Sequence, residues 1–177
     1  MKFTPSKIPG VWIIEQERFA DDRGYFARTW CADEFAAHGL NSRLLQCSTS
    51  FNLKSGTLRG LHFQATPHAE DKLVRCTRGA IFDVAVDLRP DSPTYKQWVG
   101  RELSEANGLA LYIPQGFAHG FQTIADNSEV FYQMSHLYHP TAGRGWRWND
   151  PAFSINWPIP ASPILSPRDA AYPDFSS

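Results

Sequence analysis

A histidine, a lysine and an arginine lie close together in two short segments near the middle of the chain. Arg59 and His62 belong to the run LRGLHFQ at 58–64, and Lys72 begins the run KLVR at 72–75. Histidine titrates near neutral pH and can accept a proton, whereas lysine and arginine can hold the negative charge of a phosphate or a developing oxyanion. These residue types therefore predict proton transfer beside an anion site, without a metal.

The segments that must position these residues alternate between apolar and polar side chains, as half-buried strands do. In the run IFDVAVDL at 81–88, the even-numbered apolar residues share one face, and Asp83 and Asp87 lie on the other. We expect these two carboxylates to line a polar interior. Short strands of this kind recur between Gly and Pro turns, which predicts a mostly β architecture.

Helices are expected to be few. Residues 32–38, followed by Gly39, predict one short connecting helix with a glycine stop. The tail from Asp150 is rich in proline and serine but still contains several large apolar residues, namely Phe153, Ile155, Trp157 and Ile164. We therefore expect the tail to pack over the strands rather than to be disordered.

Length, charge and cysteine content exclude several classes of protein. A chain of 177 residues predicts one domain, 1–177, that buries roughly 70% of its unfolded surface. A formal net charge of −1 gives no reason to expect a nucleic acid or an anionic membrane as partner. Cys31, Cys47 and Cys76 lack metal-ligand spacing, and neither a targeting segment nor an apolar run of about 20 residues is present. These features predict a cytoplasmic protein with reduced thiols.

Short strands with such turns fit a closed barrel or a double-sheet jelly roll, and the pattern alone does not separate the two. The runs LRGLHFQ and KLVR, the run IPQGFAHGF at 113–121, and the pair Tyr132 and Tyr138 resemble the dTDP-4-dehydrorhamnose 3,5-epimerase family. The resemblance extends from about Phe19 to about Asp169. It implies an all-β, cupin-type double-stranded β-helix (jelly roll) with a few short helices, no cofactor, and a homodimer that exchanges N-terminal strands.

The same resemblance implies four catalytic residues. His62 is the base, and Asp169, in the run LSPRD, orients it and favours its imidazolium form. Lys72 stabilises an enolate, and Tyr132 is the proton donor. Without the resemblance, ordinary roles would be commoner for all four: a satisfied structural histidine, a solvated tail carboxylate, a solvated lysine and a core tyrosine.

The substrate implied is a nucleotide-diphosphate-linked 4-keto-6-deoxyhexose that is inverted at C3, C5 or both. The nearest case converts dTDP-4-dehydro-6-deoxy-D-glucose to dTDP-4-dehydro-L-rhamnose, a step of dTDP-rhamnose biosynthesis. Tyr138 would stack on the base, and Arg23, Arg59 and Arg168 would bind the phosphates. The full set of implied substrate contacts is Arg23, Arg28, Gln46, Ser48, Arg59, His119, Tyr138 and Arg168.

Two other readings stay open. His62, His68, Glu70 and His119 could supply histidines and a carboxylate to iron or manganese in a metal-dependent cupin oxygenase or isomerase. Such proteins usually begin their first motif with His-x-His, whereas Gln64 stands two residues after His62. A catalytically silent sugar-nucleotide-binding module on the same barrel would be expected to lose His62 or Tyr132, and both are present.

The chain departs from the family at several substrate-contact positions. Arg28 stands where a glutamate is usual, which reverses the charge, and Cys47 and Ser48 replace the usual Asp-Asn after Gln46. Gly143 replaces a common glutamate, and Arg168 replaces the usual lysine. The sequence therefore leaves open a CDP- or GDP-linked substrate, inversion at one carbon only, and the role of Arg28.

Overall fold

The structure is a computed structural model that describes residues 1–175, and strands dominate it. The strands are β1 (Lys2–Pro5), β2 (Trp12–Glu15), β3 (Arg18–Asp21), β4 (Gly24–Ala27), β5 (Gln46–Asn52), β6 (Leu58–Gln64), β7 (Lys72–Arg78), β8 (Ala80–Asp87), β9 (Trp98–Ser104), β10 (Leu109–Ile113), β11 (Phe117–Thr123), β12 (Ser128–Met134) and β13 (Gly143–Gly145). Two short helices, α1 (Ala32–Ala37) and α2 (Pro167–Ala170), complete the secondary structure.

The strands form two large antiparallel sheets and a separate hairpin. The larger sheet has the order β1-β2-β10-β7-β12-β5, and the smaller has the order β13-β6-β11-β8-β9. Neighbours in each sheet are mostly distant in sequence, as in a jelly roll rather than a meander. The prediction of an all-β, cupin-type jelly roll with a few short helices is confirmed.

The main core lies between the two sheets. Val74, Leu111 and Val130 contribute from the larger sheet, and Ala85 and Phe121 contribute from the smaller one. Asp83 shares the interior face of β8 with Ala85 and is fully buried, so the polar interior predicted from the alternation is found at this position. Asp87 is also buried, but its carboxylate bonds Arg89, Ser92 and Thr94 in the loop that follows β8.

Each sheet is also covered on its outer face. The tail from Asp150 packs Phe153 and Trp157 against β8 and β11, as its apolar residues predict. Ile164 is an exception: its side chain is exposed, and its backbone instead bonds Gly56 and Leu58 at the start of β6. Helix α1 covers the larger sheet through Phe35, whose full burial contributes about 1.5–3 kcal/mol.

The hairpin of β3 and β4 is exposed along almost its whole length. Phe19 and Phe26 form a cross-strand pair, and both side chains are largely open to solvent. Within the described chain, the Arg18 guanidinium ties the hairpin to the backbone carbonyls of Glu105 and Ala106. Such an apolar, weakly attached element is typical of a surface that contacts another chain.

The short helix predicted over 32–38 is present as α1, and Gly39 adopts the positive φ of a helix stop. All three cysteines are free. No helix within residues 1–175 has the length and apolar character needed to cross a membrane.

Candidate active site

A polar cavity of about 330 Å³ opens beside β6 and β7. Half of the residues predicted for the site line it, and these are Arg59, His62, Lys72, Tyr138, Arg168 and Asp169. Three of them, Arg59, Lys72 and Arg168, are cations, and Asp169 is an anion. Because the cations predominate, the cavity suits an anionic, partly polar ligand. The other predicted residues do not line it.

His62 and Asp169 form the closest pair in this cavity. The His62 Nε2 atom lies 2.5 Å from Asp169 Oδ1, and the Asp169 side chain is only 6% exposed. Asp169 stands in the first turn of α2, whose N-cap is Ser166. The Ser166 hydroxyl donates to Asp169 Oδ2 at 2.9 Å and accepts the Asp169 backbone N–H at 3.1 Å. The carboxylate is therefore held on both oxygens and aimed at the imidazole.

The electrostatics of the pair keep Asp169 ionised. Desolvation on its own raises the pKa of this carboxyl, but the hydrogen bond and charge of His62 and the hydrogen bond of Ser166 outweigh it. The pKa of Asp169 consequently lies below its ordinary value. An ionised carboxylate can orient the ring and stabilise the imidazolium that forms when His62 takes a proton.

Two glycines near His62 permit close contacts that a side chain would prevent. One contact is with the backbone of β11, and the other is with the ring of Tyr172. Gly60 has a φ of +144°, and a Cβ on it would lie 2.6 Å from the Gly120 Cα on β11. Gly145 pairs with His62 across β13 and β6, and a Cβ there would lie 2.4 Å from the Tyr172 Cζ. The Tyr172 ring packs edge-on against His62, with 5.6 Å between the ring centroids.

Lys72 begins β7 and reaches the same cavity with a side chain that is 14% exposed. Its ammonium lies 3.2 Å from Glu70 Oε1, and the Glu70 side chain is 10% exposed. The positive charge of Lys72 is thus fixed in a region from which most water is removed, where it acts more strongly on a nearby anion.

Arg59, Arg168 and Tyr138 lie around the cavity at exposed positions. The Arg59 Nε donates to Asn52 Oδ1 at 2.8 Å, which fixes its side chain. Arg168 lies close to Gly143, where an added Cβ would be 3.3 Å from the Arg168 Nη2. Gly143 therefore leaves room for the arginine head, so the two departures from the family at these positions are spatially coupled.

The residues of β5 alternate between the two faces of the larger sheet. Gln46 and Ser48 are half-buried, whereas Cys47 is exposed on the other face. Gln46 Oε1 accepts the backbone N–H of Tyr138 at 2.9 Å, and Ser48 pairs across the strands with Tyr132. Of the two substitutions after Gln46, only Ser48 therefore faces the interior.

His119 and Tyr132 do not line this cavity; His119 is buried and Tyr132 is half-buried. His119 is the cross-strand partner of His62, and its Nε2 lies 2.7 Å from the Oδ1 of buried Asp83. The Tyr132 ring packs against the core, with its centroid 6.1 Å from that of His119. Burial and the negative charge of Asp83 raise the pKa of Tyr132 well above its ordinary value, so its hydroxyl keeps its proton near neutral pH.

Arg23 and Arg28 lie on the β3–β4 hairpin and its continuation, outside the walls of this cavity. The Arg23 side chain is 89% exposed and bonds Asp21 in the same hairpin. The Arg28 Nη1 donates to Glu34 Oε1 at 2.9 Å, and Glu34 also accepts from the N-terminal ammonium. Within one chain, neither arginine contributes to the cavity.

Each residue that the metal-dependent interpretation requires contacts a different partner. His62 binds Asp169, His119 binds Asp83, and Glu70 binds Lys72. The His68 ring is stacked on His139, with centroids 3.9 Å apart. Among residues 1–175, no group of three or more His, Cys, Asp or Glu side chains has the arrangement of a metal site.

Sequence reasoning missed several residues that line the cavity, namely Phe63, Gln64, Arg144 and Ser166, and it considered Glu70 only as a metal ligand. A local signal existed for Ser166. The run Ser-Pro-x-Asp at 166–169 has a serine N-cap, a proline in the first turn and an acid three residues on, as many helix starts do. No comparable signal marks Gln64, whose side chain contacts both the nearby loop at His68 and Glu70 and the distant residue His139.

Comparison with known proteins gives concordant matches. A family model described as dTDP-4-dehydrorhamnose 3,5-epimerase matches residues 5–177. A dTDP-4-dehydrorhamnose 3,5-epimerase of Sinorhizobium fredii is 44% identical over 99% of this chain and 90% of its own length. A dTDP-4-dehydrorhamnose 3-epimerase of Streptomyces niveus is 42% identical over 96% of this chain and 81% of its own. The crystal structure of dTDP-4-dehydrorhamnose 3,5-epimerase from Bacillus anthracis, with TDP and PPi bound, has a TM-score of 0.95 at 40% identity and covers 98% of this chain and 99% of that one.

Proposed function

Because the chain belongs to the dTDP-4-dehydrorhamnose 3,5-epimerase family, we propose that it converts dTDP-4-dehydro-6-deoxy-D-glucose to dTDP-4-dehydro-L-rhamnose. The chain is an isomerase, and its substrate is a nucleotide-linked 4-keto sugar. The observation that carries the proposal is the His62–Asp169 pair, which faces the same polar cavity as Lys72.

The proposed chemistry begins with the acidity of the sugar. A ketone at C4 makes the protons at C3 and C5 acidic, so one base can remove either proton if the sugar presents it. His62 takes the proton, and the ionised Asp169 stabilises the resulting imidazolium. The electrons move to the ketone oxygen, where the Lys72 ammonium stabilises the enolate.

Inversion requires a second proton donor on the other face of the ring. We assign this role to Tyr132, which stays protonated because burial raises its pKa. Its ring packs against the ring of His119, and His119 is the cross-strand partner of His62. The second face of the sugar would therefore point toward the interior between the sheets, where Tyr132 is half-buried.

The carrier would bind at the open side of the cavity. Arg59 and Arg168 line the cavity and would contact the diphosphate, and the exposed ring of Tyr138 would stack on the base. Gln46, Ser48 and His119 would contact the sugar. The bound TDP in the Bacillus anthracis structure supports a thymidine nucleotide.

We further propose a homodimer in which the β3–β4 hairpin of each protomer reaches the cavity of the other. Arg23 and Arg28 are implied substrate contacts, yet they lie outside the cavity of their own chain. Exposed Phe19 and Phe26 give the hairpin an apolar surface suited to a partner. The residues 1–177 would then form a single domain, in a cytoplasmic enzyme that needs neither a nucleic acid nor a membrane.

No metal or organic cofactor enters the proposed reaction. Lys72 supplies the positive charge that a metal would otherwise supply. Dialysis against a chelator should therefore leave the rate unchanged. A stoichiometric transition metal whose removal abolishes activity would instead support the metal-dependent reading.

Turnover in deuterium oxide tests the function directly. With dTDP-4-dehydro-6-deoxy-D-glucose, NMR should show the rhamnose-configured product with deuterium at both C3 and C5. Deuterium at C3 alone would favour the second candidate, a one-carbon epimerase, which the 42% identity to a 3-epimerase supports. Turnover of CDP- or GDP-linked 4-keto sugars only would reassign the base, and turnover of no 4-keto sugar would refute the proposal.

A further inference from the structure

Glu70 lies in the wall of the cavity, in the loop between β6 and β7, and has no role in the reaction proposed above. Its Oε1 lies 3.2 Å from the Lys72 ammonium, and both side chains are largely buried. Placing a carboxylate next to the one lysine that must stabilise an anion weakens the field of that lysine. Such an arrangement needs a compensating benefit.

The other oxygen of Glu70 is also held. Gln64 Nε2 donates to Glu70 Oε2 at 2.9 Å and to the backbone carbonyl of His68 at 3.0 Å. Gln64 Oε1 accepts the backbone N–H of His139 at 2.7 Å. Gln64 therefore fixes the Glu70 carboxylate to the rigid strand β6, two residues from His62.

The backbone on the other side of Glu70 is anchored by a buried carboxylate. Asp71 Oδ1 accepts from the Tyr112 hydroxyl at 2.9 Å, and its Oδ2 accepts from Ser135 and Asn41, each at 2.8 Å. The Asp71 N–H donates to the Ser135 hydroxyl at 2.8 Å. Both the carboxylate of Glu70 and the chain that leads from it into Lys72 are thus fixed.

A lysine side chain has four rotatable bonds and carries about 2 kcal/mol of rotamer entropy, so an unrestrained ammonium samples many positions. Because the Lys72 ammonium has three N–H donors, its ion pair with Glu70 leaves donors for the substrate. We propose that Glu70 is a positioning residue for the epimerisation, which holds the Lys72 ammonium where the ketone oxygen arrives and does not itself touch the sugar. This inference rests on the proposed function of Lys72.

Removing Glu70 tests the inference through Lys72. Glu70→Ala should lower kcat by about tenfold to a hundredfold, because a misplaced catalytic group loses that much. The KM and the Kd for dTDP should stay within about threefold, since the carrier site is intact. Glu105→Ala, which removes an exposed glutamate in the turn after β9, is the matched control and should match the wild type.

A double-mutant cycle separates a role that Glu70 exerts through Lys72 from a structural role that is independent of Lys72. If Glu70 acts through Lys72, Glu70→Ala should cause no further loss of C5 deuterium exchange in a Lys72→Ala background. A structural role would instead cost the same factor in both backgrounds and would lower the unfolding midpoint in parallel. Equal losses in the two backgrounds, or an unchanged kcat for Glu70→Ala, would overturn the inference.

The same experiment keeps the inference apart from the proposed function. If the wild type exchanges deuterium and Glu70→Ala does so at the same rate, the inference is wrong and the epimerase activity stands. If the wild type turns over no 4-keto sugar, the proposed function fails and the role of Glu70 falls with it.

Discussion

The cavity around His62 and the β3–β4 hairpin both carry charged residues implied in substrate binding, but different forces hold those charges. In the cavity, Asp169 and Glu70 are at most 10% exposed and are fixed on both oxygens. In the hairpin, the Arg23 side chain is 89% exposed and bonds only its own strand neighbour, Asp21. Exposed pairs of this kind contribute about 0–1 kcal/mol.

The difference indicates which of the two regions a single chain arranges by its own buried contacts. One chain is enough to arrange the proposed base, its carboxylate and the lysine, because buried contacts specify their geometry. In the proposed homodimer, the hairpin would gain a second surface against which its phenylalanines could pack. The chemistry is therefore expected to tolerate changes in the hairpin, whereas binding of the carrier is not.

The largest effect should follow from changing the proposed base. His62→Ala should reduce deuterium exchange at C5 by about 10³-fold, since general-base catalysis contributes roughly that much. NMR of the substrate in deuterium oxide measures the exchange, and dTDP binding should remain. His38→Asn, at the C-cap of α1 and outside the cavity, is the control and should exchange deuterium as the wild type does. Undiminished exchange in His62→Ala would remove the cavity from the mechanism.

The second prediction concerns the direction in which the hairpin reaches. Arg23→Ala alone should lower kcat/KM by about tenfold to a hundredfold, the value of a hydrogen bond to a charged group. A heterodimer of one His62→Ala chain and one Arg23→Ala chain, purified through two different tags, has one intact site if the hairpins cross. Its activity should then be about half that of the wild type.

If the hairpin instead serves its own chain, neither site of this heterodimer is intact. Activity would then stay at or below half of the low level of Arg23→Ala. That outcome would contradict the exchange of hairpins between protomers. The β3–β4 hairpin would then belong to the site of its own chain.

The third prediction compares the two regions by stability. Asp169→Asn should lower the free energy of unfolding at pH 7 by about 1.5–3 kcal/mol, the range for hydrogen bonds to charged groups. Asp21→Asn, the exposed counterpart, should be indistinguishable from the wild type in the same urea titration. Equal losses for the two variants would mean that the cavity is no better organised than the hairpin.

The pH dependence of this difference has a definite sign. The pKa of folded Asp169 lies below its ordinary value of 3.8, so its ionised form stabilises the fold above about pH 4. That contribution is lost as the pH falls through the lowered pKa. The gap between the wild type and Asp169→Asn should therefore be full at pH 7 and close progressively below pH 4.

Sequence patterns predict the parts of this molecule that depend on local periodicity. The alternation over 81–88 gives the strand β8 and the inward direction of Asp83, and Gly39 gives the end of α1. The pairing of His62 with Asp169 joins residues 107 positions apart, and only the resemblance to a family indicates it. Composition and spacing carry no information about such a contact.

Neither the sequence patterns nor the family resemblance predicts two features of the site. Glu70 looks like a metal ligand in the sequence, and only the fold shows that Lys72 and Gln64 already occupy its oxygens. The resemblance implies Arg23 and Arg28 as substrate contacts but does not say that they lie outside the cavity of their own chain. The conformation of the β6–β7 loop decides the contacts of Glu70, and no periodic pattern in the sequence indicates that conformation.

The smallest effect is expected at Arg28, where the charge is opposite to that usual in the family. Thymine offers an N–H donor that a carboxylate can accept, whereas an arginine can only donate, so Arg28 would suit the acceptors of cytosine or guanine if it faced the base. Its guanidinium instead pairs with Glu34 at 2.9 Å, and Glu34 is further tied to the N-terminal ammonium. We therefore predict that Arg28 does not read the base.

Arg28→Ala and Arg28→Glu should each change the Kd for dTDP by less than about fivefold, because an exposed ion pair is worth at most about 1 kcal/mol. Calorimetric titration with dTDP, CDP and GDP should rank dTDP first in all three proteins. Tighter binding of CDP or GDP by the wild type, lost in Arg28→Glu, would show that the hairpin selects the base, and the cavity would then be the less specific of the two regions.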